Sequence, residues 1–435
     1  MKQHQTKDIF VIGFALFSMF FGAGNVIFPP FLGLGAGPEW LLGYICYYLA
    51  DIGLALVALY SVFRKDGMDK VMEPIGKTGT NLLMCAVVLC IGPMVALPRT
   101  AAMTFEMSVM PFFIHLPKAA GVGFSILFFV VIFLLTIRES SVVDIVGKFL
   151  TPALMVGLFI LIVKGILFPL GTPSAAPQTP DVVVSGIKAG YQTMDVLATV
   201  LFGAIIMHSV EGKGYTSASD RRKVAVRSGL VAGVALMLVY GGLTYLGASV
   251  SQIYDLSMGR SALVMNIVYG LLGKAGTVIF ALVVGLACVT TAVGLVSSCA
   301  DYFAELSGGK LAYPVMVVGI CAFSAIAANI GLDTIVSIAA PVLDIVYPPM
   351  LILILLSYIP RLPDLSYRLG LAASLVFSVL GAVQSYMGIP IPFLDKLPFT
   401  AVGFGWLLPT LAFAALGLLF RKRESDETAI SDHRM

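Results

Sequence analysis

Charge is what this sequence has least of. Only 12% of its 435 residues are Asp, Glu, Lys or Arg, where a soluble globular chain carries about a quarter. With 59% hydrophobic residues and a mean hydropathy of +0.97, water cannot be the main solvent. No polar stretch is long enough for a soluble domain, so one integral membrane domain, 1–435, is expected. Histidine is nearly as scarce. His4, His115, His208 and His433 show no His-x-x-His or His-Glu-x-x-His spacing, which argues against a metal centre. The phosphate-cradling pattern Gly-x-x-x-x-Gly-Lys is absent, which excludes a Walker-type nucleotide-driven machine. The six cysteines all fall inside apolar segments without ligand spacing, so they read as small buried hydrophobes and imply no disulfide framework. A net charge of +3 gives no electrostatic footprint for nucleic acid. The first apolar run follows Lys2 and Lys7 but is longer than a signal h-region and lacks an Ala-x-Ala cleavage site, so it reads as a span.

What the chain has instead is apolar runs from end to end. Windows between breaks rich in charge, Gly and Pro place twelve spans near 9–35, 38–63, 81–110, 121–138, 147–169, 183–210, 225–249, 275–305, 311–331, 333–359, 366–387 and 399–420. With the N-terminus inside, all but seven of the 27 Lys and Arg lie on inside-facing segments. That asymmetry predicts a multi-pass protein of the cytoplasmic membrane with both termini cytoplasmic. The polar tail 424–435 reads as disordered.

Non-helical backbone inside a bilayer must line a cavity or be buried in protein, so helix breakers within a span mark candidate sites. Span one carries Phe20-Phe21-Gly22-Ala23-Gly24-Asn25 ahead of Pro29-Pro30. Gly22 and Gly24 can leave helical dihedrals cheaply, freeing amides that attract a carboxylate and carbonyls that attract a cation. An amino acid zwitterion with Na⁺ would satisfy both; close helix packing through Gly-x-Gly is the other reading. Span six is interrupted at Gly190-Tyr191-Gln192-Thr193-Met194-Asp195. Spans one and six lie five apart, as equivalent broken helices of an inverted five-plus-five repeat do. The repeats would be about 9–169 and 183–359, with accessory helices about 366–420.

Intramembrane charges need partners. Asp51, Arg99, Glu106 and Asp344 read first as clamps between helices, with Arg99 and Glu106 each bonding across to another helix; for Asp195, a clamp and a role in binding stand level. In span eight Thr290-Thr291 can offer oxygens to a hard cation, or merely bond their own helix.

The motifs Gly22-Ala23-Gly24-Asn25 to Pro29-Pro30, Gly92-Pro93, Pro98-Arg99-Thr100, Phe105-Glu106, Tyr191-x-Thr193-Met194-Asp195, Phe202-Gly203, Thr291-Ala292-Val293-Gly294-Leu295 and Tyr347-Pro348-Pro349 follow one another along nearly the whole chain. Together they resemble the bacterial branched-chain amino acid:cation symporter family. The resemblance implies sodium-coupled uptake of leucine, isoleucine and valine, no cofactor, and a fold similar to that of the neurotransmitter:sodium symporters. It further implies that the Ala23 and Gly24 amides face the substrate carboxylate, that carbonyls around Phe20 and Phe21 face the ammonium or the ion, and that Asn25 supports the broken loop. Sodium would lie among the backbone oxygens of Ser18 and Phe21 and the hydroxyls of Thr290 and Thr291. One departure is Asp301, where the family pattern has Glu after Cys-Ala.

Pro93, Met94, Thr193, Met194, Asp195 and Phe202 lie near the breaks, where the apolar ones among them could wall a dry side-chain pocket; core packing is their commoner fate. A methylene in such a pocket is worth only about 1–3 kcal/mol, so discrimination among the three substrates should be weak. Proton-coupled uptake remains open through Asp195 or Glu106. A membrane-embedded enzyme would need a nucleophile–base set, and a channel a continuous polar pore; neither pattern is apparent. No obligate protein partner is implied.

Overall fold

Lipid offers a backbone no hydrogen bonds, so an apolar chain of this kind satisfies its amides within helices. The computed structural model describes residues 2–113, 116–137, 141–215 and 217–420, and among these there is no strand. The tail read as disordered, 424–435, lies outside the described residues.

The first span is two half-helices, α1 (Lys2–Phe20) and α2 (Ala23–Ala36). The second is α3 (Trp40–Tyr48) and α4 (Leu54–Lys65), joined by a π-helical turn, Leu49–Gly53. A short α5 (Met68–Met72) leads to α6 (Gly76–Leu89) and α7 (Ala96–Ser108), which flank another π-helical turn, Cys90–Met94. Then come α8 (Lys118–Ile137), α9 (Ser141–Leu167), the half-helices α10 (Val182–Thr193) and α11 (Asp195–Gly212), α12 (Ala218–Ser249) and α13 (Arg260–Leu306). The chain closes with α14 (Tyr313–Ala327), α15 (Leu332–Leu356), α16 (Asp364–Met387) and α17 (Leu407–Leu419). Among the described residues eight helical stretches are long and apolar enough to cross a bilayer, and a bent stretch from Val182 to Gly212 makes a ninth.

Two spans carry features that hydropathy does not show, and one expectation is corrected. The second span is not one regular helix, because its middle widens into the π-turn that carries Asp51. The eighth span starts just past a non-helical Gly273 (φ 66°), near the expected 275, and a separate helical arm over 260–272 leads into it. The twelfth is shorter than 399–420, with a 3₁₀ turn at Thr400–Val402 and Gly403 in the left-handed region before the helix starts at Leu407.

α1 and α2 lie along α12, while α10 lies along α3 and α11 along α4. α7 packs on α13 and α15, α9 on α13, and α8 on α14; α16 sits between α15 and α17. Two crossings depend on missing side chains. A Cβ on Gly247 would run into the Pro30 carbonyl, fixing α2 on α12. A Cβ on Gly190 would stand 2.9 Å from the Tyr47 carbonyl oxygen and 3.1 Å from the Asp51 amide, which brings the end of α10 onto the π-turn. Outward faces are apolar, as at Phe14, Leu127, Leu238 and Ile279, and suit lipid.

Ion pairs gather at the ends. At one, Lys213 meets Asp8 at 2.8 Å and Arg221 bridges Asp66 at 3.0 Å and Glu211. At the other, Arg260 pairs with Asp333 and lies over the Phe31 ring, 4.3 Å from its centroid.

Candidate functional site

The break in span one is short. α1 stops at Phe20, and Gly22 caps α2 in an extended conformation (φ −94°, ψ −176°) with no side chain accepting from the new helix. The first amides of a helix have no carbonyl within it, so those of Ala23 and Gly24 point out of its N-terminus. A Cβ built on Gly22 meets nothing within 4 Å, so there is room beside them. Gly24 is different: a Cβ there would sit 2.9 Å from Arg99 Nη2 and 3.2 Å from Phe28.

The break in span six turns on Met194. Its φ of 68° is left-handed, uncommon for a residue with a side chain and worth on the order of 1–3 kcal/mol of strain. That one residue ends α10 at Thr193 and starts α11 at Asp195, whose carboxylate favours a helix N-terminus.

The two breaks are joined by side chains. Asn25 Nδ2 donates to Asp195 Oδ2 at 2.9 Å and to the Phe20 carbonyl at 2.8 Å, and it also contacts the Tyr240 hydroxyl on α12. Thr193 Oγ1 lies 2.7 Å from Asp51 Oδ1 and also bonds the Gly190 carbonyl. Arg99 Nη1 donates to the Gln192 carbonyl at 2.6 Å and its guanidinium lies 5.5 Å from the Phe28 ring centroid, tying α7 to α10 and α2. Asp51, Asn25, Asp195 and Arg99 are 0–5% exposed.

Some expected residues meet here and others do not. Asn25, Thr193, Met194 and Asp195 are brought together with Phe20, whose ring meets that of Phe202 edge-on at 6.1 Å. The Phe20 carbonyl, expected near an ammonium or ion, already accepts from both Gly22 N and Asn25 Nδ2, each at 2.8 Å, and so has no lone pair left. Phe21 stacks on Phe17 at 5.5 Å. Pro93 is buried in its π-turn, whereas Met94 is 44% exposed at the end of that turn. Ser18, Thr290 and Thr291 are each half-buried. Thr290 Oγ1 donates to the Ala287 carbonyl at 2.9 Å, which leaves its lone pairs for an acceptor role. Of the clamp candidates, Glu106 accepts from the Leu332 amide at 3.1 Å and caps α15, and Asp344 accepts from Tyr386 at 2.8 Å. Each bonds across to another helix, as expected.

Tyr47 and Tyr240 were missed. Tyr47 stands four residues before Asp51, a helical spacing that places both toward one side, but nothing in the sequence pointed from Asp51 to span six. A cavity of about 500 Å³ is lined by Phe28, Phe31, Gln192, Lys188, Arg260 and Tyr386, two of which, Phe28 and Gln192, are also the contacts of Arg99.

Two broken helices facing each other across a midplane are what a solute carrier needs. Residues 5–424 match the family described as branched-chain amino acid transport protein. The chain belongs to that family. This transporter is 32% identical over 439 residues to the branched-chain amino acid permease BrnQ of Salmonella typhimurium, covering 99% of each chain. It is 34% identical to the permease BraB of Bacillus subtilis, covering 94% of this chain and 95% of that one. It is also 34% identical to the branched-chain amino acid transport system 3 carrier protein of Pseudomonas aeruginosa, covering 97% and 98%. Among solved structures it is similar to Mhp1, a nucleobase-cation-symport-1 family transporter, with a TM-score of 0.62 at 12% identity over 95% of this chain and 92% of that one. A Na⁺-coupled sialic acid symporter gives 0.60 at 11% over 95% and 90%. At such identities the likeness is one of fold alone; the family and its permeases are what mark this chain as a transporter.

Proposed function

We propose that this transporter imports leucine, isoleucine and valine across the bacterial cytoplasmic membrane by symport with sodium, using alternating access. The observation that carries the reading is the pair of breaks at Phe21–Gly22 and Met194, held side by side by Asn25. The open space at Gly22 and the amides of Ala23 and Gly24 receive the substrate carboxylate. The aliphatic side chain lies toward Met194, Phe202 and Pro93. With the Phe20 carbonyl engaged, the ammonium and the ion turn to the Phe21 carbonyl, and sodium is held by Ser18, Phe21, Thr290 and Thr291.

The packing supports twelve spans in a five-plus-five inverted repeat. Span one lies on span seven as span six lies on span two; span eight meets span five as span three meets span ten; spans three and eight meet each other, as do four and nine. Every one of these pairs maps onto another, or onto itself, when five is added or subtracted. A repeat related by a two-fold axis requires that reciprocity. Spans eleven and twelve fall outside it, and both termini lie in the cytoplasm, with Arg260 and Asp333 on the outer side.

Thr291→Ala tests the ion site. Loss of one oxygen ligand should raise the sodium concentration for half-maximal leucine uptake about tenfold, or about 1.4 kcal/mol. Unchanged sodium dependence in membranes with normal protein levels would remove Thr291 from the site.

A further inference from the structure

The substrate and sodium assignments leave one buried cluster without a task. Asp51, on the π-turn of span two, and Asp195, at the start of α11, are both buried where spans two and six cross: Thr193 Oγ1 lies 2.7 Å from Asp51 Oδ1, and Asn25 Nδ2 donates to Asp195 Oδ2 at 2.9 Å. We propose that these two carboxyls are a proton-binding site: an acid–carboxylate pair that holds one proton, keeps the broken span six docked on span two, and must stay protonated for transport.

Charge is the first argument. The cation that faces the pair is Arg99, and its single positive charge balances only one carboxylate. A second uncompensated charge at the centre of a membrane protein costs several kcal/mol, and a neighbouring like charge raises that further. One proton makes the cluster neutral. Hydrogen counting is the second argument. Thr193 has one hydroxyl hydrogen, yet its Oγ1 bonds both the Gly190 carbonyl and Asp51 Oδ1. If that hydrogen goes to Gly190, the bond to Asp51 needs a hydrogen on the carboxyl. The third is that Asp51 Oδ2 is buried and has no hydrogen-bond partner. A carboxyl carrying a proton can remain there; a bare carboxylate oxygen could not do so cheaply.

The groups facing the pair from every packed element are Tyr47 and Tyr48 on span two, Tyr240 on α12, Tyr347 on α15 and Arg99 on α7, with the neutral Asn25 from α2 and Thr193 from α10. Phenols and a guanidinium keep their protons far into the alkaline range in water, so the pair is the group among them that titrates first. The sign follows. As pH rises through the value at which the pair releases its proton, two negative charges repel, Thr193 loses Asp51, and the break leaves the geometry that holds substrate.

The inference rests on the transport reading only where uptake is the readout. With the sodium gradient and membrane potential fixed, leucine uptake in liposomes should fall on the alkaline side by about tenfold per pH unit, as a single lost proton dictates. Asp51→Asn, whose amide supplies a hydrogen without a charge, should flatten that limb to less than about twofold while uptake persists. Should the variant not fold, infrared spectra of purified wild-type protein decide the matter without transport. A carboxylic acid band that shifts with ¹³C-aspartate and disappears at alkaline pH is the expected result. Absence of such a band at neutral pH, or an alkaline limb in Asp51→Asn as steep as in wild type, would overturn the proposal.

Discussion

At Gly24 a single methyl decides access. A Cβ there stands 2.9 Å from Arg99 Nη2, so Gly24→Val must push the guanidinium away from Gln192 or close the space before α2. Leucine affinity measured by scintillation proximity should drop at least about tenfold, roughly 1.4 kcal/mol, and an unaltered affinity would detach the first break from substrate binding. Part of this scale was legible from residue type, Gly22 and Gly24 as breakers and Asp195 as an intramembrane charge in need of a partner, while the supporting role of Asn25 came from the family resemblance. What could not be read was pairing across the fold. Asp51 and Asp195 are 144 positions apart, and only the crossing of spans two and six, where Thr193 bonds Asp51, brings them to one buried cluster. Nor could spacing show that the Phe20 carbonyl is spent on Gly22 and Asn25.

At the scale of elements, the break in span six is held by packing of glycine against backbone. Gly190→Ala would set a Cβ 2.9 Å from the Tyr47 carbonyl, and overpacking of this kind costs about 1–3 kcal/mol. A lowered melting temperature in detergent is the expected result; an unchanged one would show that α10 can slide without loss. Hydropathy located the spans because lipid imposes length and apolarity. It was blind to the π-turn at Leu49–Gly53, which contains no proline and differs from a regular helix by one wide turn. It also passed over the 260–272 arm, whose mixed composition gives no span signal although α13 continues from it beyond Gly273. Gly403, at φ 82°, explains the late start of α17 in the same way: the residues before it are apolar but their backbone is committed to turns.

For the whole molecule, spans one, two, six and seven are tied at one end by Asp8, Asp66, Glu211, Lys213 and Arg221, whereas spans three, four, eight and nine pack on one another. In the proposed alternating access, rocking of one group against the other would open a central site to alternate sides. The opposite end is latched by Arg260 on Asp333 and Phe31. Arg260→Cys combined with Asp333→Cys, joined by a short cleavable bifunctional thiol reagent, should lose uptake, with recovery on reduction. Full uptake by the cross-linked protein would mean that this end does not move.

The claim that joins these scales is that sodium, bound beside the first break, drives the amino acid inward. Leucine uptake by the purified protein in liposomes, with an inward sodium gradient set against an inward proton gradient at equal membrane potential, tests it most directly. Concentrative uptake with sodium and none with the proton gradient alone is the predicted result. Accumulation driven by the proton gradient without sodium would contradict it, and would turn the Asp51–Asp195 pair from a condition of transport into its coupling site.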